Sequence, residues 1–538
     1  MGKSGKRPWT GRGDIAAFFA LMPDNLATLA IMAALLTNFG VPGSIVFGKM
    51  IPGTALGVMV GDLIYTWMAL RLAKKENRQT VCAVPLGVDT PSSIGIVVCV
   101  LGPAFVQMKQ GGMDATAAGM STWHLGLATM LLIGVFKALM SFCGGWIQRK
   151  VPQAALLGSL GGVGIAFIGF MQLAELFTVP VAGMASLAIV FFVLIARMRL
   201  FAGVPGVLTA VVVGSVLYHG MGVAGLNPGI YSAPPVEFYF HLPEPTLGGL
   251  GHLGEALKYI TVSLPFAILS VIGGINVTAS AHAEGHRYNT RSVLMAESFS
   301  TIVAGFFGGV AQTVPYAGFP AYRRMGARAG YTLAVGLFIG LGGILGFVSF
   351  IVELIPAPVL APILVFMAVE VVSQPYTICR RRYSAAILAA MLPALARMVM
   401  IYLSDPSWMA PERIERLINT VSHSGFSSMA MMVAMGNGFI LTGMLWGGFL
   451  SNMVDHKFSV ASRYLLICAL LSFSGVIHSP YADGRMVLPW LENGVMRQIP
   501  LQFTAAYIVA AVVIFGLSRL SAPEALNDAG RDPGFSED

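Results

Sequence analysis

The fold is decided by two short stretches, Ala83-Val84-Pro85-Leu86-Gly87-Val88-Asp89-Thr90-Pro91 in the first half of the chain and Thr313-Val314-Pro315-Tyr316-Ala317-Gly318-Phe319-Pro320 in the second half. Each stretch contains a Val-Pro pair, then a glycine, then a second proline. A proline is well tolerated in the first turn of a helix, where the missing N–H would have no partner in any case. Each stretch therefore predicts a short extended segment that leads directly into the start of a helix.

The composition around these stretches is that of an integral membrane protein. Of the 538 residues, 56% are hydrophobic and 11% are charged, and the mean hydropathy is +0.75. Soluble globular proteins have about 25% charged residues. Apolar stretches of about 20 residues, the length that crosses a bilayer as a helix, recur along the whole chain. We therefore expect a multi-pass protein embedded in the lipid bilayer.

The apolar stretches divide the chain into two halves of seven spans and an additional pair, so the pattern fits either 14 or 16 spans. In the first half the predicted spans cover 15–37, 45–72, 90–107, 117–145, 153–176, 181–197 and 203–220. In the second half they cover 259–282, 292–309, 320–332, 333–354, 358–376, 383–404 and 429–453. The additional pair covers 461–479 and 502–520.

The predicted regions follow from these spans. They are a cytoplasmic N-terminus (1–14), a first repeat (15–220), an external loop (221–257), a second repeat (258–456), an extra transmembrane hairpin (457–520) and a disordered tail (521–538). Because seven is an odd number of spans, the second repeat must be inserted upside down relative to the first. Most of the 33 Lys and Arg residues fall at ends predicted to be cytoplasmic, as the positive-inside rule expects. Both termini are predicted to lie in the cytoplasm.

The remaining composition argues against several classes of function. The net charge of +8 is spread over loops rather than concentrated in a patch, so we expect no nucleic-acid partner. The five cysteines have neither the spacing of a metal site nor that of a disulfide framework. The sequence shows no Gly-rich phosphate loop of the kind that binds ATP. We expect no enzyme activity, no cofactor and no metal.

Breaks in two corresponding spans indicate the substrate site of a transporter. Irregular backbone at membrane depth is tolerated only where it is buried in protein or lines a cavity. Matching breaks in two halves of a chain are typical of transporters built from inverted repeats. The predicted fold class is therefore an all-α integral membrane protein with 7+7 inverted repeats, two short broken-strand/half-helix segments and an extra C-terminal transmembrane hairpin. We expect residues 81–89 and 312–319 to be extended and to pair across the centre of the protein.

Four stretches resemble motifs of the nucleobase–ascorbate (xanthine/uracil) permease family, and in particular of its guanine/hypoxanthine permease branch. They are residues 86–92 (LGVDTPS), 304–309 (AGFFGG), 316–330 (YAGFPAYRRMGARAG) and 355–358 (IPAP). The resemblance implies a core domain (spans 1–4 and 8–11) that moves against a gate domain (spans 5–7 and 12–14). It also implies a homodimer, symport with a proton as the coupling ion, and a location in a prokaryotic inner membrane. The extra hairpin departs from that family's 14 spans.

The resemblance also locates the residues that hold a substrate. Family members carry acidic residues in the eighth span and after the broken strand of the tenth, but the corresponding positions here are Gly273 and Gly318. Asn and Gln amides offer donors and an acceptor that match the edge of a nucleobase. The alternative is that such side chains hydrogen-bond neighbouring helices or the broken backbone. The candidate substrate-binding residues are Asn276 and Thr278 of the eighth span and Gln312, Thr313 and Tyr316 of the tenth.

Three carboxylates complete the candidate residues. Asp89 is either a substrate ligand beside two helix N-termini or the N-cap of the first half-helix. Asp24 and Asp62 lie within the first and second spans, where an ionisable group costs at least about 2.5–3.5 kcal/mol at the bilayer centre. Both are candidates for coupling a proton to transport. The alternative for each is a pair with a nearby cation or a position at the membrane surface.

These observations predict a permease, a secondary transporter that moves a small polar planar solute, a purine or pyrimidine nucleobase, by alternating access. One alternative is a transporter of a small anion or carboxylate with the same fold, because converging helix N-termini form an anion site and the two missing carboxylates no longer repel an anion. Another alternative is a membrane receptor or scaffold that transports nothing. We further expect Asn276 and Gln312 to face one cavity, with Asp24 beside it.

Overall fold

The computed structural model of the chain describes residues 9–78, 80–142, 151–198, 200, 206–229, 231, 240–243, 245–316, 318–403, 408–422, 425–482, 486 and 488–520. The predicted disordered tail (521–538) and residues 1–8 of the predicted N-terminal region lie outside the described residues. The same is true of residues 230, 232–239 and 244 of the predicted external loop.

The first half of the chain folds into seven long helices, and each one coincides with a predicted span. The strand β1 (Leu86–Val88) immediately precedes the third of them. The seven helices are α1 (Gly13–Asn38), α2 (Gly43–Lys75), α3 (Thr90–Gln110), α4 (Ala115–Met140), α5 (Gln153–Leu176), α6 (Pro180–Ile195) and α7 (Gly206–Val223).

The second half repeats this order, with β2 (Thr313–Pro315) ahead of a second half-helix, and ends in the extra hairpin. A small β-hairpin of β3 (Val421–Ser422) and β4 (Gly425–Phe426) lies between two of its helices. The helices are α8 (Leu253–Lys258), α9 (Ile260–Ala283), α10 (Thr290–Phe306), α11 (Phe319–Arg324), α12 (Gly330–Leu345), α13 (Phe347–Leu354), α14 (Ala357–Ile378), α15 (Ser384–Leu403), α16 (Pro411–Asn419), α17 (Ser428–Gly436), α18 (Phe439–Val454), α19 (Phe458–Phe473) and α20 (Gly494–Leu520).

The predicted fold class is confirmed: the chain is a mostly helical, multi-pass membrane protein with the 7+7 inverted-repeat architecture. Within the described residues, ten helices are long and apolar enough to cross a membrane, and up to eleven if a bent pair is counted as one span. The extra hairpin is present, since α19 and α20 pack on each other and α19 packs on α18.

Two predicted spans are broken at glycines. The span predicted at 333–354 divides into α12 and α13 at Gly346, whose φ is +82°. The span predicted at 429–453 divides into α17 and α18, which are bent by 83° at a break that contains Gly438 with a φ of +71°. Glycine adopts these left-handed angles without the steric cost of a Cβ atom. An apolar run that contains many glycines does not show which of them breaks the helix.

The helices form two bundles. The first bundle contains α1–α4 and α9–α12, with β1 and β2 among them. The second contains α5–α7, α14, α15, α17 and α18. The bundles meet mainly where α1 packs on α14, where α3 packs on α5 and where α9 packs on α18. The strand pair thus lies inside the first bundle, and a cleft separates parts of the two bundles.

Candidate functional site

β1 and β2 pair in antiparallel fashion inside the first bundle, with Gly87 opposite Val314. Beyond the ladder, the N–H of Asp89 donates to the carbonyl of Gln312 at 2.9 Å. The predicted pairing of the two extended segments is therefore confirmed, although the regular ladder covers only three residues of each. Residue 317 of the second segment lies outside the described residues.

Side chains from other elements complete the hydrogen bonds of the broken backbone. The N–H of Val88 donates to Oδ1 of Asn25 on α1 at 2.9 Å, and the hydroxyl of Tyr316 donates to the carbonyl of Val88 at 3.1 Å. Backbone groups left unsatisfied at membrane depth would each cost several kcal/mol. Gly87 permits this approach, since a Cβ there would lie 2.3 Å from Cε2 of Tyr316 and 2.6 Å from Oδ1 of Asn25. We call the paired strands β1 and β2 the strand crossing. Its geometry requires the glycine of the first motif and the tyrosine of the second.

Each strand leads into the start of a helix. α3 begins at Thr90, and the carbonyl of Asp89 accepts the N–H of Ser93 at 2.9 Å. The hydroxyl of Thr90 lies 2.7 Å from the hydroxyl of Thr28 on α1, which fixes the helix start in the first bundle. α11 begins at Phe319 in the same way. Because the strands are antiparallel, the two helix starts lie at opposite ends of the ladder, and each has the partial positive charge of a helix N-terminus.

A buried charge pair lies directly behind the strand crossing. Nζ of Lys137 on α4 is 2.5 Å from Oε1 of Glu297 on α10, and both side chains are fully buried. Nζ also donates to the carbonyl of Thr313 at 2.9 Å and to Oε1 of Gln312 at 3.4 Å. The hydroxyl of Ser270 on α9 donates to Glu297. We call these five residues the lysine network. It ties three helices to the start of β2.

Two of the predicted substrate residues belong to this network, and a third contacts it. Nε2 of Gln312 donates to Oδ2 of Asp89 at 2.8 Å. The hydroxyl of Thr313 lies 3.3 Å from that of Thr301 and also contacts Ser300. These contacts match the alternative to substrate binding, in which the polar side chains hydrogen-bond neighbouring helices and the broken backbone. A role in substrate binding for Gln312, Thr313, Tyr316 and Asp89 stays a prediction.

The eighth span places its two candidate residues differently. Thr278 is fully buried and donates to the carbonyl of Gly274, one turn earlier, at 2.7 Å. Asn276 is exposed on the surface of α9. It lies about 15 Å along the helix from Phe266, whose carbonyl is 3.5 Å from Nε2 of Gln312. The structure thus places Asn276 and Gln312 at different levels of the bundle, and their contact with one substrate stays a prediction.

The two predicted coupling residues have different surroundings. Asp24 is half-buried on α1, and its side chain hydrogen-bonds Tyr316, so it lies beside the strand crossing. Its role in coupling stays a prediction. Asp62 on α2 is fully buried against Gly336 of α12. In the described part of the chain, neither carboxylate oxygen of Asp62 has a hydrogen-bond partner. A partner cation for Asp62, which the sequence offered as one alternative, is not found among these residues.

The two glycines that replace acidic residues differ in the space around them. A Cβ built at Gly273 would have Cγ2 of Val314 as its nearest neighbour, at 4.0 Å. That position therefore faces open space next to β2. A Cβ at Gly318 would lie 3.1 Å from the ring of Tyr322. Packing thus does not require a glycine at position 273, and the missing carboxylate there leaves room beside the strand crossing.

A cavity of about 1120 Å³ opens between the two bundles, and we call it the vestibule. Its wall includes Ile31 and Pro103 from the first bundle and Gln172 from the second. Ile31 lies one helical turn from Thr28, whose hydroxyl contacts Thr90 at the start of α3. The floor of the vestibule therefore comes within about one turn of the first half-helix start.

Neither a protein-family model nor a curated protein sequence matches the chain, but solved structures do. The transmembrane domain of the cyanobacterial bicarbonate transporter BicA matches with a TM-score of 0.50 and 15% identity over 73% of this chain and 96% of that chain. SLC26A9 matches with a TM-score of 0.51 and 12% identity over 83% of this chain and 66% of that chain. Murine Slc26a9, described as an anion transporter in the inward-facing state, matches with a TM-score of 0.48 and 14% identity over 82% and 69%. At these identities the likeness shows the fold alone.

The predicted membership of the nucleobase–ascorbate permease family is contradicted by this comparison. The solved structures that share the fold include a bicarbonate transporter, and no family model supports a nucleobase permease. The physical reason is visible at the strand crossing. Gly87 and the prolines at the helix starts, Pro91 and Pro320, serve the broken backbone. Motifs built from such residues therefore report the fold and carry no information on the substrate.

The sequence did not identify the partner of Lys137. Lys137 is a charged residue within the predicted apolar span 117–145, but Glu297 is far from it in the chain and lies on a different helix. The only available signal was a second lone charge within a predicted span. Such a charge is functional or paired by default in a membrane.

Proposed function

We propose that the chain is a secondary transporter of a small anion that works by alternating access between the two bundles. The observation that carries this proposal is the vestibule, which lies between the bundles and ends about one helical turn from the start of α3. A solute at the strand crossing could then be exposed to one side of the membrane at a time as the bundles move. The fold supports the proposal, since its solved examples include a bicarbonate transporter.

The charges at the strand crossing support an anion, rather than a nucleobase, as the substrate. The start at Thr90 of the long helix α3 offers partial positive charge and backbone N–H groups. Gly273 and Gly318 supply no carboxylate that could grip the N–H groups of a base. The open space beside Gly273 is independent support, because it leaves room for a ligand next to β2.

Two carboxylates near the crossing lead us to include proton coupling in the proposal. Asp24 and Asp89 would each repel an anion when ionised, so protonation of one of them favours anion binding. Asp24 is the better candidate, since Asp89 is the N-cap of α3 and is already engaged by Gln312. Asp62, buried without a hydrogen-bond partner in the described chain, is the second candidate. Symport of an anion with a proton is the resulting mechanism.

The proposal also includes the location, the orientation and the oligomeric state of the protein. We place the protein in a cell inner membrane with both termini in the cytoplasm, as the distribution of Lys and Arg suggests. In this orientation α1 and α3 end on the external side, and the vestibule opens to the exterior. A homodimer is part of the proposal, and the mass of the detergent-solubilised protein measured by light scattering tests it.

A ligand screen tests the anion assignment. The thermal unfolding of the purified protein would be measured with bicarbonate, chloride, sulfate, small carboxylates, purines and pyrimidines, each added separately. A ligand that binds only the folded state raises the free energy of unfolding, by about 2.7 kcal/mol when its concentration is 100 times Kd. The melting temperature rises with it. We expect stabilisation by at least one of the anions. Stabilisation by an uncharged base alone would contradict the proposal.

A further inference from the structure

One buried cation faces the vestibule. Arg397 lies on α15 in the second bundle and is only 3% exposed, yet it lines the vestibule wall. Its Nη1 donates to Oδ1 of Asn437 and to the carbonyl of Ala482, each at 3.3 Å. Both acceptors are neutral. Among the described residues, no carboxylate lies within ion-pair distance of this guanidinium.

Arg397 has donors beyond the two that these contacts use. A guanidinium carries five N–H donors in a planar fork. In the described part of the chain, the thiol of Cys99 on α3 also lies close enough to the Arg397 guanidinium to interact with it. Cys99 belongs to the first bundle, so Arg397 extends across the cleft between the bundles. A buried charge with incomplete hydrogen bonding is costly unless an anion or water completes its contacts.

The other charged residues of the vestibule wall are closer to solvent. Lys109, Glu412 and Glu415 are exposed, and Glu175 is half-buried. Salt screens exposed charges over about 8 Å at physiological ionic strength but screens buried charges much less. The outer rim is therefore weakly acidic and well screened, whereas the charge at the inner wall is the unscreened cation of Arg397.

The extra hairpin holds this cation in place. Asn437, which accepts from Arg397, lies at the break between α17 and α18. Its Nδ2 donates to the carbonyls of Ser479 at 2.7 Å and Tyr481 at 2.6 Å. Ser479, Tyr481 and Ala482 all belong to the connection between α19 and α20. The break in the fourteenth span and the loop of the hairpin thus position the guanidinium together.

We propose that Arg397 forms an entry subsite for a small inorganic anion in the vestibule, and that the extra hairpin orients it. Cys99 lies nine residues beyond Thr90, about 14 Å along α3, so the subsite is distinct from the strand crossing. The anion binds in-plane to the guanidinium fork and then passes to the helix starts. This subsite rests on the proposed anion transport, and it adds a recognition step on one side of the membrane.

The test measures uptake from each side separately. The wild type, Arg397→Gln, Arg397→Lys and the matched control Lys109→Gln would be reconstituted in a known orientation. Chloride, bicarbonate and sulfate would serve as probes. From the vestibule side, Arg397→Gln is expected to raise KM about 10-fold or more, as for the loss of a charge-assisted hydrogen bond. KM from the opposite side and the maximal rate are expected to stay unchanged. Arg397→Lys is expected to give an intermediate KM, and Lys109→Gln the wild-type value.

The outcomes separate the subsite from the proposed function. A wild type that moves none of these anions overturns the proposed function. A wild type that transports, with an unchanged vestibule-side KM in Arg397→Gln or with equal changes on both sides, overturns the subsite alone.

A second measurement leaves Arg397 intact in case Arg397→Gln does not fold. A cysteine introduced by Ala34→Cys on the vestibule wall would be reacted with anionic and cationic methanethiosulfonate reagents of similar size. Faster reaction of the anionic reagent supports the subsite, and faster reaction of the cationic one overturns it.

Discussion

Asp89 and Gln312 are joined twice. The backbone N–H of Asp89 donates to the carbonyl of Gln312 at 2.9 Å, and Nε2 of Gln312 donates to Oδ2 of Asp89 at 2.8 Å. Gln312 in turn accepts from Lys137 through its Oε1. The start of the first half-helix, the strand crossing and the buried charge pair therefore form one connected unit. Any change in this unit is expected to affect ligand binding and stability together, unless the substitution preserves the hydrogen bonds.

Asp89→Asn is such a substitution. Asparagine caps a helix as well as aspartate, and its carbonyl oxygen can still accept from Gln312. Removal of the charge is expected to tighten anion binding severalfold, as measured by titration calorimetry. Asp89→Ala, which removes the acceptor of the Gln312 hydrogen bond, is expected to lose about 0.5–1.5 kcal/mol of stability. Weaker anion binding in Asp89→Asn, at unchanged stability, would indicate that the carboxylate itself contacts the substrate.

Gly273→Glu tests the charge at the strand crossing. The nearest atom to a Cβ at this position is 4.0 Å away, so Gly273→Ala and Gly273→Gln are expected to fold and to retain uptake. Gly273→Glu places a carboxylate beside β2 and is expected to reduce anion uptake at least 10-fold. The comparison of Glu with Gln, which have nearly the same shape, isolates the charge. Equal uptake by the two variants would show that the anion does not bind here.

The lysine network makes a prediction about stability. Lys137→Met leaves Glu297 as an uncompensated buried charge and is expected to cost about 3–5 kcal/mol in the free energy of unfolding. The double variant Lys137→Met/Glu297→Met removes both charges and is expected to recover most of that loss. A double-mutant cycle of thermal unfolding in detergent measures the coupling. Additive losses in the double variant would mean that the 2.5 Å pair contributes little.

Asp62→Asn separates folding from coupling. Because neither oxygen of Asp62 has a hydrogen-bond partner among the described residues, the substitution removes no observed contact. We expect no loss of stability, since a buried carboxyl group without a hydrogen-bond partner is replaced by a neutral amide, and a loss of the pH dependence of uptake. Asp24→Asn serves as the comparison, because Asp24 contacts Tyr316. Full pH dependence in both variants would remove the proton from the proposed mechanism.

Much of the fold was predictable from the sequence because two signals are physically strong. Apolar stretches of about 20 residues leave few options in a membrane, and prolines at 91 and 320 mark helix starts. The breaks at Gly346 and Gly438 were not predictable, because each glycine lies in an apolar run where many others continue the helix. The bend at Gly438 is stabilised by Arg397 and by residues 479–482, which are distant in sequence.

The candidate site was only partly predictable for a related reason. Gln312, Thr313, Asp89 and Tyr316 were identified because they adjoin the two motifs. Glu297 and Arg397 act through contacts that only the tertiary structure creates. The family was misassigned because glycine and proline positions shared by one fold were taken as the mark of one family. Substrate preference depends instead on the charges that surround the crossing, and these vary within a fold.

Counterflow in proteoliposomes measures the transport of a small anion by this protein. Vesicles that contain the protein and a high concentration of one unlabelled anion would be diluted into a trace of the same labelled anion. We expect a transient accumulation of label inside, which saturates with concentration, is absent from empty vesicles and is lost in Gly273→Glu. No accumulation of any of chloride, bicarbonate, sulfate or small carboxylates, by protein whose folding is verified, would contradict it.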